Sequence, residues 1–179
     1  MNLAKGCLLI SDPFLPDPHF HRSVILITEH GDEGTHGFVL NHKTALCVRD
    51  LFDDFECEEN VLLGGPVGKN TFHFIHTLSH LNGAAEILPG VYWGGDFEML
   101  KFLFKEGLTV GEKFVFIAGY SGWSDGQLEE EIKEHCWIVA PGNAEYVFSN
   151  DKMLWKHILS GLGGEFKWLS NAPEDLRLN

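Results

Sequence analysis

Short apolar runs bounded by glycine, proline and charged residues recur along most of the chain. Apolar, β-branched runs between turn residues are typical of strands. The predicted strands are residues 7–10, 24–28, 36–40, 61–63, 71–76, 85–93, 113–118, 136–140 and 144–148. The second and third are joined by the polar segment 29–34, whose two glycines suit a hairpin.

Helical periodicity appears in three places, which predict helices over 96–106, 124–135 and 150–160. Asp96 is suited to cap the first of them, and Gly107 to end it. Ser124 and Gln127 have the spacing of a capping box at the start of the second. Strands outnumber helices and the helices come late, so we predict an α+β fold with a mixed or mostly antiparallel sheet.

Composition favours a single soluble domain spanning residues 1–179, because 44% of the residues are hydrophobic and only 22% are charged. Thirteen Lys and Arg against 26 Asp and Glu give a net charge of −13. Such a field repels phosphate backbones and anionic lipids, so we expect neither direct nucleic-acid binding nor membrane binding.

Several features favour a cytoplasmic protein. The four cysteines lie far apart without a CxxC pair, as expected of free thiols. The apolar stretch near residue 8 is too short for a signal peptide. The apolar runs 24–27 and 114–118 are far shorter than the roughly 20 residues that span a bilayer.

The glycine-rich segment 64–70 (GGPVGKN) resembles a phosphate-binding loop only superficially. A Walker motif requires a glycine where this chain has Leu63 and a Ser or Thr where it has Asn70. A strand-like segment also follows it in place of a helix. The sequence favours a structural turn there.

Residues 119–123 (GYSGW) lie between a predicted strand and a predicted helix, as a nucleophile elbow does. Trp123 stands where that motif needs its second glycine, so the match is broken. A hydrolase of unknown substrate is therefore the alternative function, and a binding module is preferred. We predict that these residues form the strand-to-helix turn and that Trp123 is buried.

Ten histidines raise the possibility of a metal site, with His19 and His21 or His73 and His76 as the closest spacings. The alternation of Phe72 and Phe74 indicates a strand, which would put His73 and His76 on opposite faces. We predict scattered structural histidines, with no metal and no other cofactor.

Polar residues gather around the first strands and around the two glycine motifs. They either form the rim of a ligand pocket or, through ion pairs such as one of Arg22, hold the loops onto the sheet. The candidate ligand-binding residues are Asp17, Arg22, Glu29, His30, Asn41, Gly64, Gly65, Tyr120 and Gln127.

Several spaced motifs recur together along nearly the whole chain. In order they are GxLLI at residues 6–10, DPxFxRSV at 17–24, EH at 29–30, GxVLN at 37–41, GGPV at 64–67, His76, GYSGWxxGQLExEI at 119–132, Trp137 and Leu178–Asn179. In this combination the chain resembles the AlgH/YqgE family of bacterial proteins.

That resemblance implies an α+β fold with a bifurcated, barrel-like sheet flanked by helices. It implies less about function, since the family is described as a candidate transcriptional regulator or as uncharacterised, with no accepted catalytic residues. Position 121 is often alanine in the family, which weakens Ser121 as a nucleophile. We predict a cytoplasmic module that binds a small ligand or a protein partner, with any effect on transcription indirect.

Overall fold

The computed structural model describes residues 2–173, and its strands belong to a ten-stranded sheet. The strands are β1 (Leu8–Ser11), β2 (Val24–Gly31), β3 (Gly34–Val39), β4 (Lys43–Cys47), β5 (Asn60–Leu63), β6 (Val67–His76), β7 (Ala85–Leu88), β8 (Val91–Trp93), β9 (Phe114–Trp123) and β10 (Trp137–Ala140). The helices are α1 (Val48–Leu51), α2 (Phe97–Lys105), α3 (Gln127–Lys133), α4 (Ala144–Val147), α5 (Leu154–Leu162) and α6 (Gly164–Leu169), preceded by a 3-10 turn at Pro18–Phe20.

The sheet runs in the order β10-β1-β2-β3-β9-β6-β8-β7, and each of these neighbouring pairs is antiparallel. It forks at β9. Phe116 in the first half of that strand lies opposite Val61 of the parallel strand β5, whereas Trp123 at its end lies opposite Thr35 of β3. The α+β class and the bifurcated sheet are thus confirmed. Within residues 2–173 the outer strands β10 and β7 do not pair, so the sheet is not closed into a barrel.

The three predicted helices are present with shifted bounds. Asp96 caps α2 as expected, its carboxylate accepting from the Met99 amide at 3.0 Å. The second helix begins three residues later than predicted, because Gly126 with φ 72° is its N-cap. Only half of the expected capping box forms there, with Gln127 Oε1 accepting from the Ser124 amide at 3.0 Å.

Three apolar clusters fill the space around the sheet. Helix α5 buries Trp155 and Ile158 in the first, and the Phe-rich face of α2 packs on the second. The third surrounds Trp123 and Trp137 beside α3. The helices therefore cover the sheet with the faces that their periodicity predicted.

Three local predictions were wrong, and one strand was missed. Residues 144–148 contain helix α4, because Asn143 Oδ1 accepts from the Tyr146 amide and starts a helical turn. Residues 85–93 form two strands separated by a turn at Gly90, which has φ 74°. Strand β4 was not anticipated. Residues 119–123 belong to β9 and not to a turn.

The prediction that Trp123 is buried is confirmed, since only 6% of its surface is exposed. The family motif at Leu178–Asn179 lies outside the described residues.

Candidate functional site

A cavity of about 720 Å³ lies beside the turn between β2 and β3. We call it the hairpin cleft. Its lining residues come from the end of β2, from the turn that follows, from the starts of β3, β6 and α3, and from the end of β9. They are Glu29, His30, Gly31, Asp32, Glu33, Gly34, Thr35, His36, Val67, Tyr120, Gly122, Trp123, Ser124 and Gln127.

Strand alternation sets the floor of the hairpin cleft. Tyr120 and Gly122 share one face of β9, and the register pairs Gly122 with His36 of β3. Gly122 contributes no side chain, and a Cβ atom placed there would lie 3.4 Å from the Tyr120 ring. The absence of that side chain leaves the Tyr120 ring accessible from the cleft.

His36 lies within a set of aromatic rings. Its ring stacks on Tyr120 at a centroid distance of 4.6 Å and on Trp93 at 5.2 Å. Its Nδ1 lies 2.7 Å from Thr28 Oγ1. Burial, together with the neighbouring His73, lowers the pKa of His36 to about 4, so the ring is neutral at pH 7.

A second cavity, of about 420 Å³, lies on the other side of these rings and is mostly apolar. We call it the phenylalanine cavity. Its lining residues are Phe52, Phe72, His73, Phe74, Trp93, Gly94, Gly95 and Phe97. Tyr120 and His36 line the first cavity and Trp93 and His73 the second, and ring contacts connect all four. These four residues form what we call the aromatic strip.

Acidic side chains form the rim of the hairpin cleft. Glu29, Asp32 and Glu33 are exposed lining residues. His30 is held beside them, with Nδ1 2.8 Å from Thr35 Oγ1 and Nε2 3.6 Å from Glu129 Oε1. None of the lining residues is a Lys or an Arg.

The structure brings four of the predicted ligand-binding residues together. Glu29, His30, Tyr120 and Gln127 all line the hairpin cleft. Gln127 is engaged locally, because its amide nitrogen donates to Glu131 Oε1 at 2.9 Å.

Gly64 and Gly65 lie next to the cleft floor but face β9. Gly64 carbonyl oxygen accepts from Ser121 Oγ at 3.0 Å, and a Cβ on Gly65 would meet Tyr120 carbonyl oxygen at 2.3 Å. Both glycines thus allow two backbones to approach closely, and neither is among the lining residues of the hairpin cleft or of the phenylalanine cavity.

Three predicted residues stand elsewhere, in loop contacts. Asp17 accepts from the His19 amide at 2.8 Å. Asn41 accepts from the Val24 amide at 2.9 Å and donates to Arg22 carbonyl oxygen at 2.7 Å. The Arg22 guanidinium lies 4.9 Å from the Trp155 ring centroid and donates to Ala172 carbonyl oxygen at 2.6 Å.

His36, Trp93 and Gly122 were missed by the sequence reasoning. The period of two in residues 119–123 already separates Tyr120 and Gly122 from Ser121 and Trp123, and that signal could have indicated an open position above Tyr120. The partners His36 and Trp93 meet only through the pairing of β3, β9, β6 and β8, which no local pattern reveals.

The hydrolase alternative gains no support from the position of Ser121. Its side chain is fully buried, and its hydroxyl donates to a main-chain carbonyl instead of meeting a histidine base. Residues 2–173 contain no group of three or more His, Cys, Asp or Glu side chains placed to hold a metal ion.

No helix in the described part of the chain is long and apolar enough to cross a membrane.

A family model and bacterial relatives match this chain and agree with one another. The family model described as AlgH-like matches residues 8–167. A protein of Cytophaga hutchinsonii named only as UPF0301 is 42% identical, over 99% of this chain and all of the relative. A UPF0301 protein of Chlorobaculum tepidum is 39% identical, over 96% of this chain and 94% of the relative.

Two solved structures share the fold. The crystal structure of a Corynebacterium diphtheriae protein superposes with a TM-score of 0.79 at 22% identity, covering 96% of this chain and 94% of that one. The solution structure of the AlgH protein from Pseudomonas aeruginosa superposes with a TM-score of 0.75 at 23% identity, covering 97% and 98%. At these identities the superpositions show a shared fold alone.

Proposed function

The chain belongs to the AlgH-like family, and we propose that it acts as a cytoplasmic binding module whose hairpin cleft takes a small ligand or a segment of a protein partner. One observation carries the proposal. The rings of Tyr120 and His36 border a cavity of about 720 Å³ that Gly122 leaves open. Ligand sites are typically concave, partly aromatic and of this size.

Half-buried aromatic rings favour binding because a ligand can cover the apolar area that water still contacts. Tyr120 and His36 are both of this kind. Their backbones belong to paired strands of the central sheet, so the rings are held in place before a ligand arrives. A preorganised surface loses less conformational entropy on binding than a mobile one.

Any regulatory outcome would be indirect, with no contact to DNA. The cleft rim is acidic, and several basic side chains are already engaged with carboxylates. Lys101 contacts Asp54 at 2.6 Å and Glu98 at 2.8 Å, and Arg49 pairs with Glu58. We expect no saturable binding to duplex DNA at micromolar protein and physiological salt, because 26 Asp and Glu outnumber 13 Lys and Arg and the resulting field repels phosphates.

A cytoplasmic location is supported by the thiols. All four cysteines lie among the described residues and are free, as is usual where glutathione keeps thiols reduced.

A thermal-shift screen tests the proposal. The chain is heated with nucleotides, sugars, amines, metal ions and short peptides. A ligand of the folded state adds RT ln(1+[L]/Kd) to the free energy of unfolding and so raises the melting temperature. Each hit is repeated on Gly122→Leu, which fills the space above Tyr120. The control Ala45→Leu adds similar bulk to an exposed position of β4.

We expect hits whose stabilisation is lost in Gly122→Leu and retained in Ala45→Leu. Stabilisation that survives in both variants would place binding elsewhere and contradict the proposal.

A further inference from the structure

We infer, building on the proposed function, that the hairpin cleft selects a flat, positively charged small molecule, because aromatic ring faces and acidic side chains line it together without a lysine or arginine. An aromatic amidinium or guanidinium compound has this chemistry. Each part of the cleft supports one feature of such a ligand.

A flat ligand is favoured by the aromatic rings that line the cleft. Tyr120 and His36 stack nearly parallel, with an interplanar angle of 29°. Because His36 also stacks on Trp93, at an interplanar angle of 20°, the ring left to receive a planar group is that of Tyr120, in stacked or edge-on contact as aromatic pairs prefer. A cation over an aromatic face is further attracted by the negative π surface.

A positive charge on the ligand is favoured by the acidic rim and by the neutral ring of His36. Exposed carboxylates of Glu29, Asp32 and Glu33 surround the opening, and Glu129 lies next to His30. His36 would repel a cation if it were protonated, but its burial keeps it neutral at pH 7. The net charge of −13 adds a long-range attraction for cations.

Two polar side chains of the lining are already engaged within the protein. Gln127 uses its oxygen for the Ser124 amide and its nitrogen for Glu131. The Trp123 indole nitrogen also donates to Glu131, at 2.9 Å. These two donors are therefore not available to an anion, whereas the carboxylates of the rim are exposed.

Benzamidine and benzamide form a matched pair of probes for this inference. They share one ring and nearly one shape, but only benzamidine is charged at pH 7. We would titrate each into the ¹⁵N-labelled full chain at low and high salt and follow the amide signals of Thr35, His36 and Gly122.

The expected result is saturable movement of those signals with benzamidine and affinity at least about tenfold weaker for benzamide, a difference that high salt reduces. Two variants sharpen it. Tyr120→Leu weakens benzamidine binding about fivefold or more, whereas Tyr92→Leu, whose ring stacks on His76 and does not line the cleft, leaves it unchanged. Glu29→Gln combined with Glu33→Gln weakens it, whereas Glu56→Gln with Glu106→Gln, which removes the same charge at exposed positions outside the cleft, does not.

Other outcomes separate the two proposals. Equal binding of benzamide and benzamidine in the cleft would overturn the selection for a cation and leave the binding module standing. No movement of the cleft signals with millimolar benzamidine would also overturn this inference, while the thermal-shift screen with Gly122→Leu judges the module independently.

Discussion

Tyr120 and Trp123 lie three residues apart on β9 and belong to two aromatic groups with opposite properties. Trp123 packs against Phe20 and Trp137 in a cluster where both indole nitrogens donate to Glu131 Oε2, at 2.9 and 2.7 Å. Tyr120 stacks on His36 beside an open cavity, and it is only partly buried.

The difference shows that neighbouring residues of one strand can serve two purposes. On the Trp123 face each indole has a hydrogen-bond partner, and the rings contact one another, which is how a core maintains its stability. On the Tyr120 face Gly122 omits a side chain, and the exposed ring area is left for something else to cover. We therefore propose that the Trp123 face stabilises the fold and that the Tyr120 face binds the ligand.

The largest expected effect is on the Trp123 face. Trp123→Ala should lower the free energy of unfolding by about 3–5 kcal/mol, because it removes a buried ring and leaves a cavity. Urea unfolding followed by circular dichroism measures it. An unchanged midpoint would show that Trp123 is not part of the core.

The hydrogen bonds of Glu131 give the next largest effect. Glu131→Ala leaves the indoles of Trp123 and Trp137 without their acceptor and should cost about 2–3 kcal/mol in unfolding free energy. The control Glu130→Ala, which loses only an exposed pair with Lys133, should cost less than about 0.5 kcal/mol. Equal costs for the two variants would mean that Glu131 does not stabilise the cluster.

Protonation provides a third test, on the Tyr120 face. Because the pKa of His36 is about 4 when folded, against 6.5 ordinarily, the unfolded chain binds more protons between these pH values. Stability should then fall as the pH falls from about 6.5 toward 4. His36→Gln should flatten part of that slope in urea unfolding across the range, and a slope unchanged by the substitution would contradict the neutral, stacked ring.

The smallest effect on stability is expected for Tyr120 itself. Tyr120→Leu keeps an apolar side chain at a half-buried position, so the unfolding free energy should change by less than about 1.5 kcal/mol. The same urea titration checks it. A loss as large as that of Trp123→Ala would make Tyr120 a core residue and remove the contrast between the two faces.

Much of the fold followed from local patterns. Helices α2, α3 and α5 and most strands have the apolar periodicity that their burial requires, and Asp96 caps α2 as its side chain suggests. Residues 144–148 misled that reasoning, since Val147 and Phe148 resemble a strand while the Asn143 cap starts a helix. The N-cap of Asn143 is a feature that the apolar pattern of residues 144–148 does not reveal.

The cleft was predictable only in part. Glu29, His30, Tyr120 and Gln127 were identified because the hairpin turn and the start of α3 are visible in sequence. The aromatic strip was not, because His36 and Trp93 meet only through the pairing of β3, β9, β6 and β8. Asn41, likewise placed among the candidates, proved to tie β2 to its neighbouring loop, a role that a polar residue in sequence does not reveal.

The most direct test of the contrast between the faces is a map of amide signals. The ¹⁵N-labelled chain is titrated with the most stabilising compound from the thermal-shift screen. We predict that the signals that move belong to the cleft-lining residues Thr35, His36 and Gly122 and to their neighbours. Movement centred on Phe20 and Trp137, with the signals of those three residues unchanged, would contradict the account.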